Sequence, residues 1–209
     1  MKAPALPLTR DLVLVGGGHA HALVLRMWGM DPLPGARVTL INPGPSAPYS
    51  GMLPGHVAGH YRRDELDIDL VKLARFAGAR VILGAAEGID LAAREIHVSG
   101  RPPVGFDVAS IDIGITSAMP DLPGFAEHAV PAKPLGPFAA RWAAFRDLPG
   151  PASVAVIGGG VAGAELAAAI AGTGMVVANP YLDAEAVGEI EVALEALGAK
   201  GSSEQVTRV

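Results

Sequence analysis

The sequence predicts an α/β chain built on a parallel sheet, and three observations carry that expectation. Residues 13–25, VLVGGGHAHALVL, run from a short apolar stretch through a glycine triplet into a helix-forming stretch. Residues 155–167, AVIGGGVAGAELA, repeat the pattern. Short β-branched runs such as RVTLIN, RVILG and DVASIDIG recur between turn signals, as buried strands do. At 209 residues, half of them apolar and 18% charged, the chain can bury a core in one or two domains.

The elements follow in order. DLVLV reads as the first strand, the glycines stop it, and a helix is expected from about Gly18 to Met30. Pro32 and Pro34 end that helix, since proline has no N–H to give and its ring clashes with the preceding turn. RVTLIN gives a second strand, so a βαβ unit with a right-handed crossover is expected. Residues 43–61 hold four prolines and four glycines and are expected to form a long, turn-rich loop of the kind that often carries function. LVKLARFAGA has helical spacing at Leu70, Leu73, Ala74 and Ala77. RVILG, EGIDL, REIHVSG and GFDVASIDIG are short strands, and FAARWAAFRDL is a helix. ASVAVIGGG opens the second strand–turn–helix unit, whose helix reaches about Ala171. A strand at Met175–Ala178, a helix from Asp183 to Leu197 and a frayed GSSEQVTRV tail complete the reading. The expected division is 1–150 as one domain, 151–200 as a partial second unit and 201–209 as tail.

Composition excludes several functions. A net charge of −5 and the lack of any Lys/Arg block give no footprint for nucleic acid. These 209 residues contain no cysteine, so they hold no disulfide, thiolate zinc site, iron–sulfur cluster or redox-active cysteine pair. The six histidines are scattered, with His19/His21 and His56/His60 nearest to ligand spacing, and no metal site is expected. No run of about 20 apolar residues is present to span a membrane. The glycine triplet stands where a signal peptide would need its cleavage site, so the expected setting is cytoplasmic.

A glycine-rich turn between a buried strand and a helix is suited to phosphate. Gly16 allows the tight turn, and Gly18 lets the backbone approach a pyrophosphate seated on the helix N-terminal amides. The plain alternative is a bend that packs tightly and binds nothing. The third motif position lets the helix approach the strand, which Gly163 permits. His21 stands there in the first copy, so a more open contact or an outward-turned ring is expected, as a packing residue or as a ligand-facing imidazole. His19 is better placed to touch a ligand. Where an acid often holds a ribose, 26 residues after Gly16, the chain has Asn42, and the second copy has Asn179 near the matching place. An amide can still bond a hydroxyl, but the choice between NADH and NADPH is not encoded there. Glu165 either complements the helix dipole or joins a ligand site, and Gly114 marks either close ligand approach or a turn.

The two turns, 142 residues apart and in this order, resemble the two-dinucleotide-binding-domain flavoproteins of the pyridine nucleotide–disulfide oxidoreductase superfamily. YSGMLPGHVAGHY, with GGGHAH, DIGITS and LPG, is similar to the branch related to type II NADH dehydrogenases, which includes flavoprotein modules fused to selenide, water dikinase. The resemblance covers about residues 10–172. It implies a Rossmann-like FAD-binding domain followed by the start of a second, NAD(P)H-binding Rossmann-like unit. On that resemblance Gly16, Gly18 and His19 hold the FAD pyrophosphate, and Asn42 lies near the adenosine ribose. Ser50, Gly51, Met52 and Leu53 run beside the flavin, Ala85 or its neighbour faces the adenine, and Gly114 packs on the FAD. Gly158, Gly160, Gly163 and Glu165 form the NAD(P)H site. Lys133 either touches the flavin edge or is a solvated loop lysine, and no side chain is assigned a catalytic role.

Two departures shape the expectation. Without cysteine, the implied activity is hydride transfer from nicotinamide to flavin and on to a quinone-like or other external acceptor, not disulfide reduction. Family members are longer, and the sequence after Ala171 does not look like their continuation. The alternative is therefore a truncated FAD-binding remnant or regulatory module without turnover. Peripheral membrane contact and oligomeric state stay open.

Overall fold

The computed structural model describes residues 7–117, 128–178 and 206–207. The helix expected at 183–197 and Asn179 lie outside the described residues. In chain order the elements begin with β1 (Arg10–Val15), α1 (His19–Met30), β2 (Ala36–Asn42), β3 (Ser46–Pro48) and α2 (Leu53–Val57). They continue with β4 (Asp67–Asp69), α3 (Leu70–Phe76), β5 (Arg80–Leu83), β6 (Ala86–Asp90), β7 (Glu95–Val98), β8 (Val104–Gly105) and β9 (Val108–Ile111). The rest are α4 (Leu135–Arg146), β10 (Ser153–Ala155), α5 (Val161–Ala171), β11 (Val176–Ala178) and β12 (Val206–Thr207). They form two compact units, Met1–Tyr49 with Asp67–Thr116, and Ser50–Leu66 with Ser117–Val209.

The first unit is a parallel four-stranded sheet in the order β5-β2-β1-β9. Counted along the chain within that sheet the order is third, second, first, fourth, the Rossmann-like arrangement with α1 as the first crossover. β1 is central, bonded to β2 on one side and β9 on the other. Both faces of β1 are covered, which is why its run is continuously apolar rather than alternating. Leu14 faces a core with Leu25 of α1, Val38 and Leu40 of β2, and Leu70 and Ala74 of α3. Val13 and Val15 face the other, with Ile41 and with Ile96, Val98 and Val104 of the antiparallel β6-β7-β8 sheet. Each such side chain contributes about 1.5–3 kcal/mol by leaving water. α1 ends at Asp31, ahead of Pro32. α3 starts where Asp69 accepts a 2.8 Å hydrogen bond from the Lys72 amide, an N-cap.

The second unit gathers α2, α4 and α5 around a parallel β10-β11-β12 sheet. Leu53 and Val57 of α2 and Leu66 share one core with Leu135, Ala139 and Trp142 of α4 and Leu166 and Ile170 of α5. That shared core is the physical reason the compact units do not divide at residue 150. Residues 50–66, which take in the later part of the loop expected over 43–61, carry three buried apolar side chains that share a core with α4 and α5. The turn-rich stretch also holds β3, a 3₁₀ turn at Ser50–Met52 and α2, with Pro54 in the helix's first turn, where no N–H is missed. At the end of the chain, Val206–Thr207 pair in parallel with β11.

Candidate functional site

The first glycine turn sits at the carboxyl end of β1, between the ends of β2 and β9. Gly16 has φ +89°, and a Cβ there would collide with the carbonyl of Asp112. The turn is fastened from both neighbouring strands. Gly16 N–H donates to the Ile41 carbonyl at 2.8 Å, Gly17 N–H to Asn42 Oδ1 at 2.9 Å, and Gly18 N–H to the Asp112 carbonyl at 3.1 Å. α1 then begins with no side-chain cap at Gly18. The His21 amide donates to Asp112 Oδ2 at 3.0 Å, so a carboxylate from the end of β9 stands at the helix's positive end. His19 and Ala20 are exposed, and among the described residues nothing accepts from their amides. These are two of the donors that every helix start leaves unpaired.

His21 is 2% exposed and turns inward. Its Nδ1 lies 2.7 Å from the Gly16 carbonyl, and its Nε2 lies 2.9 Å from Ser110 Oγ. A carbonyl only accepts, so Nδ1 carries the proton and, in the neutral ring, Nε2 accepts from the Ser110 hydroxyl. The expected alternatives were a more open contact or an outward ring. Here the imidazole ties the turn to β9.

Asn42 is 7% exposed, and its amide is already engaged. Its Oδ1 accepts from the Gly17 amide, and its Nδ2 donates to the Gly44 carbonyl at 2.8 Å. A carboxylate could not make that donation, which gives a local reason for an amide where related turns often carry an acid. Gly114 and Ala85 follow the carboxyl ends of β9 and β5, and both are exposed. Ala85 uses its carbonyl to accept from the Ser99 amide at 3.2 Å. The first unit thus brings Gly16, Gly18, His19, Asn42, Ala85 and Gly114 to one end of its sheet. Sequence reading missed Asp112, Ser110 and Tyr49, whose ring lies 5.7 Å from that of His19. The available signal was an acid, Asp112, closing an otherwise apolar strand run.

The remaining expected residues lie in the second unit. Ser50 and Gly51 are exposed in the 3₁₀ turn, Met52 is half-buried, and Leu53 belongs to the core. In the second glycine turn, Gly158 has φ +142° and Gly160 precedes α5. A Cβ at Gly163 would collide with the Gly158 carbonyl, so the helix lies directly on the turn. Glu165 is exposed on α5. Lys133 is half-buried, and burial pulls its ammonium below the usual lysine range.

The sequence profile described as "Pyridine nucleotide-disulphide oxidoreductase" matches residues 10–199. The chain belongs to the pyridine nucleotide-disulphide oxidoreductase family. Among curated proteins it is similar to the NADH dehydrogenase-like protein YutJ of Bacillus subtilis (strain 168), 26% identical over 163 residues. That match takes in 76% of this chain and 44% of YutJ, so the chain spans less than half of that relative's length. Among solved structures, a NAD-dependent persulfide reductase from A. fulgidus matches with TM-score 0.69 and 24% identity, over 95% of this chain and 39% of that one. The water-forming NADH oxidase of Lactobacillus brevis matches with TM-score 0.69 and 21% identity, over 96% and 46%. These likenesses show the shared fold.

Membership of this oxidoreductase family implies FAD and NAD(P)H as cofactors. The residues of the first turn fit a pyrophosphate: His19 and Ala20 are exposed residues at a helix start whose amides find no acceptor among the described residues, with a glycine turn in front of them. The family's disulphide chemistry has no thiol among these 209 residues. No helix among the described residues is long and apolar enough to cross a membrane.

Proposed function

We propose that this chain is the cofactor-binding part of an FAD-containing NAD(P)H oxidoreductase that serves a quinone-like or other small external acceptor in a cytoplasmic setting. The observation that carries the reading is the pair of amides of the exposed residues His19 and Ala20, which find no acceptor among the described residues, behind a glycine turn at the carboxyl end of a parallel sheet. When bound, FAD supplies the hydride-accepting chemistry. This chain's residues bind and orient. In this reading Gly16, Gly18 and His19 hold the pyrophosphate, which the His19 and Ala20 amides receive, while the missing Cβ atoms of Gly16 and Gly18 make room for Asp112. Asn42, Ala85 and Gly114 line the adenosine and pyrophosphate side. Ser50, Gly51, Met52 and Leu53 run beside the flavin. Gly158, Gly160, Gly163 and Glu165 form the NAD(P)H turn, with Gly163 keeping α5 close enough for its first amides to reach a phosphate.

The absorption spectrum tests this directly. The purified protein, or the protein given FAD, should show flavin absorbance near ~450 nm that NADH bleaches under anaerobic conditions. A colourless protein that takes up no FAD overturns the proposal. FAD uptake without steady NADH oxidation by a quinone or dye would instead favour a nucleotide-binding module without turnover.

A further inference from the structure

The opposite end of the first unit's sheet carries a cleft that the dinucleotide reading does not use. Its volume is about 370 Å³. It opens beside the amino ends of β1, β2 and β5, at Asp11, Arg37 and Arg80, and under the 99–103 turn joining β7 to β8, which carries Arg101, Pro102 and Pro103. Ile82 and Val104 complete the lining, and Val104 also belongs to the core. At about 3.3 Å per residue, the six residues of β1 put roughly 20 Å between this cleft and the glycine turn.

The charges of the cleft are unbalanced. Arg37 is bonded to Asp11 through two hydrogen bonds, Nε to Oδ1 at 2.6 Å and Nη2 to Oδ2 at 3.0 Å. Asp11 also fixes its own place, its amide donating to Asp107 Oδ2 at 2.7 Å. Asp107 does not line the cleft. Among the described residues Arg101 reaches only a backbone carbonyl, that of Leu83 at 3.2 Å. Arg80 has no ion-pair or hydrogen-bond partner for its side chain among the described residues. Three guanidinium groups therefore meet one carboxylate on a chain whose net charge is −5. Arg37 is held in place by its pair, whereas Arg80 and Arg101 keep N–H forks to offer. Guanidinium forks match the two oxygens of a carboxylate or phosphate group, and such charge-assisted bonds are roughly twice as strong as neutral ones.

We propose that this cleft is a second binding site, for a small polyanion bearing phosphate or carboxylate groups, held chiefly by Arg80 and Arg101. The volume lies at the lower end of the range for small-molecule sites, so the ligand is compact. Pro102 and Pro103 stiffen the turn that bears Arg101, which lowers the ordering cost of a bound anion. The site is independent of the dinucleotide turns and stands or falls without them.

Citrate and inorganic pyrophosphate are the probes, one for each source of the anionic chemistry. Each is titrated into the protein by calorimetry at low salt, with and without FAD, against sodium chloride at equal ionic strength. Saturable binding of at least one probe at one site is expected, unchanged by FAD and weakened by added salt. Arg80→Ala and Arg101→Ala should each weaken it about 10-fold. Arg80→Lys should fall between, since it keeps the charge and loses the fork. Arg62→Ala removes a cation paired with Asp64 elsewhere and should leave binding unchanged. In methyl NMR spectra the Ile82 and Val104 signals should move with the titration, which also shows that each variant is folded. Binding of citrate alone assigns the site to carboxylates, and of pyrophosphate alone to phosphates. The proposal is overturned if neither probe saturates. It also fails if Arg62→Ala weakens binding as much as Arg80→Ala, or if Arg80→Ala and Arg101→Ala together leave it intact.

Discussion

The two glycine turns solve one packing problem in different ways. Gly16 corresponds to Gly158, and His21 to Gly163. In the second turn the helix rests on the Gly158 carbonyl, and a Cβ at Gly163 would strike it. In the first turn the equivalent Gly16 carbonyl is met by the Nδ1–H of His21 at 2.7 Å. One carbonyl is covered by a bare Cα, the other by an imidazole that reaches on to Ser110. A missing glycine at the third motif position is therefore not damage. It marks a turn fastened by side chains, with Asn42 and Asp112 completing the fastening.

Exchanging the two residues tests the comparison. The largest effect is expected from Gly163→His, which forces α5 off the Gly158 carbonyl and should cost about 3 kcal/mol. The chain has two tryptophans, Trp28 in α1 and Trp142 in α4, one in each unit. Urea unfolding of Trp28→Phe and Trp142→Phe backgrounds therefore follows the units separately. The loss should appear in the Trp142 signal, and tolerance of histidine at 163 would break the comparison. Next in size, His21→Gly should cost about 2–3 kcal/mol in the Trp28 signal, because it leaves the buried Gly16 carbonyl unpaired, releases the exposed Ser110 hydroxyl to water and opens a void. If His21→Gly stabilises the first unit, the imidazole is dispensable and a glycine would have served both turns.

The smallest effect sharpens the comparison on the side of binding. Asp112→Asn keeps an acceptor for the His21 amide but removes a negative charge from the start of α1. The helix should lose about 0.3–1 kcal/mol. FAD should bind more tightly by roughly 5-fold, the value of one like-charge repulsion of about 1 kcal/mol near 4 Å in water. Flavin fluorescence quenching measures the affinity, and weaker binding would show that the carboxylate helps to organise the phosphate seat.

Local pattern was enough for the elements that make their own case. β1, α1 and β2 follow from an apolar run, a glycine stop and two prolines, and each strand sits where its run lies. The family was legible in the order of the two turns. What local pattern could not show was how side chains are spent across the sheet. His21 finds Ser110 and Asp112 about 90 residues away, and no periodicity encodes which way a ring will turn. For Asn42 a spacing rule says where the residue lies, not which bonds it already makes to Gly17 and Gly44. The compact units depend on a similar long-range pairing: within the proline- and glycine-rich stretch, Leu53 and Val57 have partners that come much later in the chain.

That last feature has a consequence during synthesis. The first unit is interrupted by residues 50–66, and Leu53, Val57 and Leu66 have their core partners in α4 and α5. The ribosome therefore releases the interrupting stretch before it can be buried. It must wait while residues 67–171 are made, roughly 5–21 s at about 5–20 residues per second. The first unit can close around its own sheet in that interval, leaving α2 as an apolar flap on the nascent chain. A chaperone that recognises short apolar segments would find it there, and only for as long as α5 is still inside the ribosome.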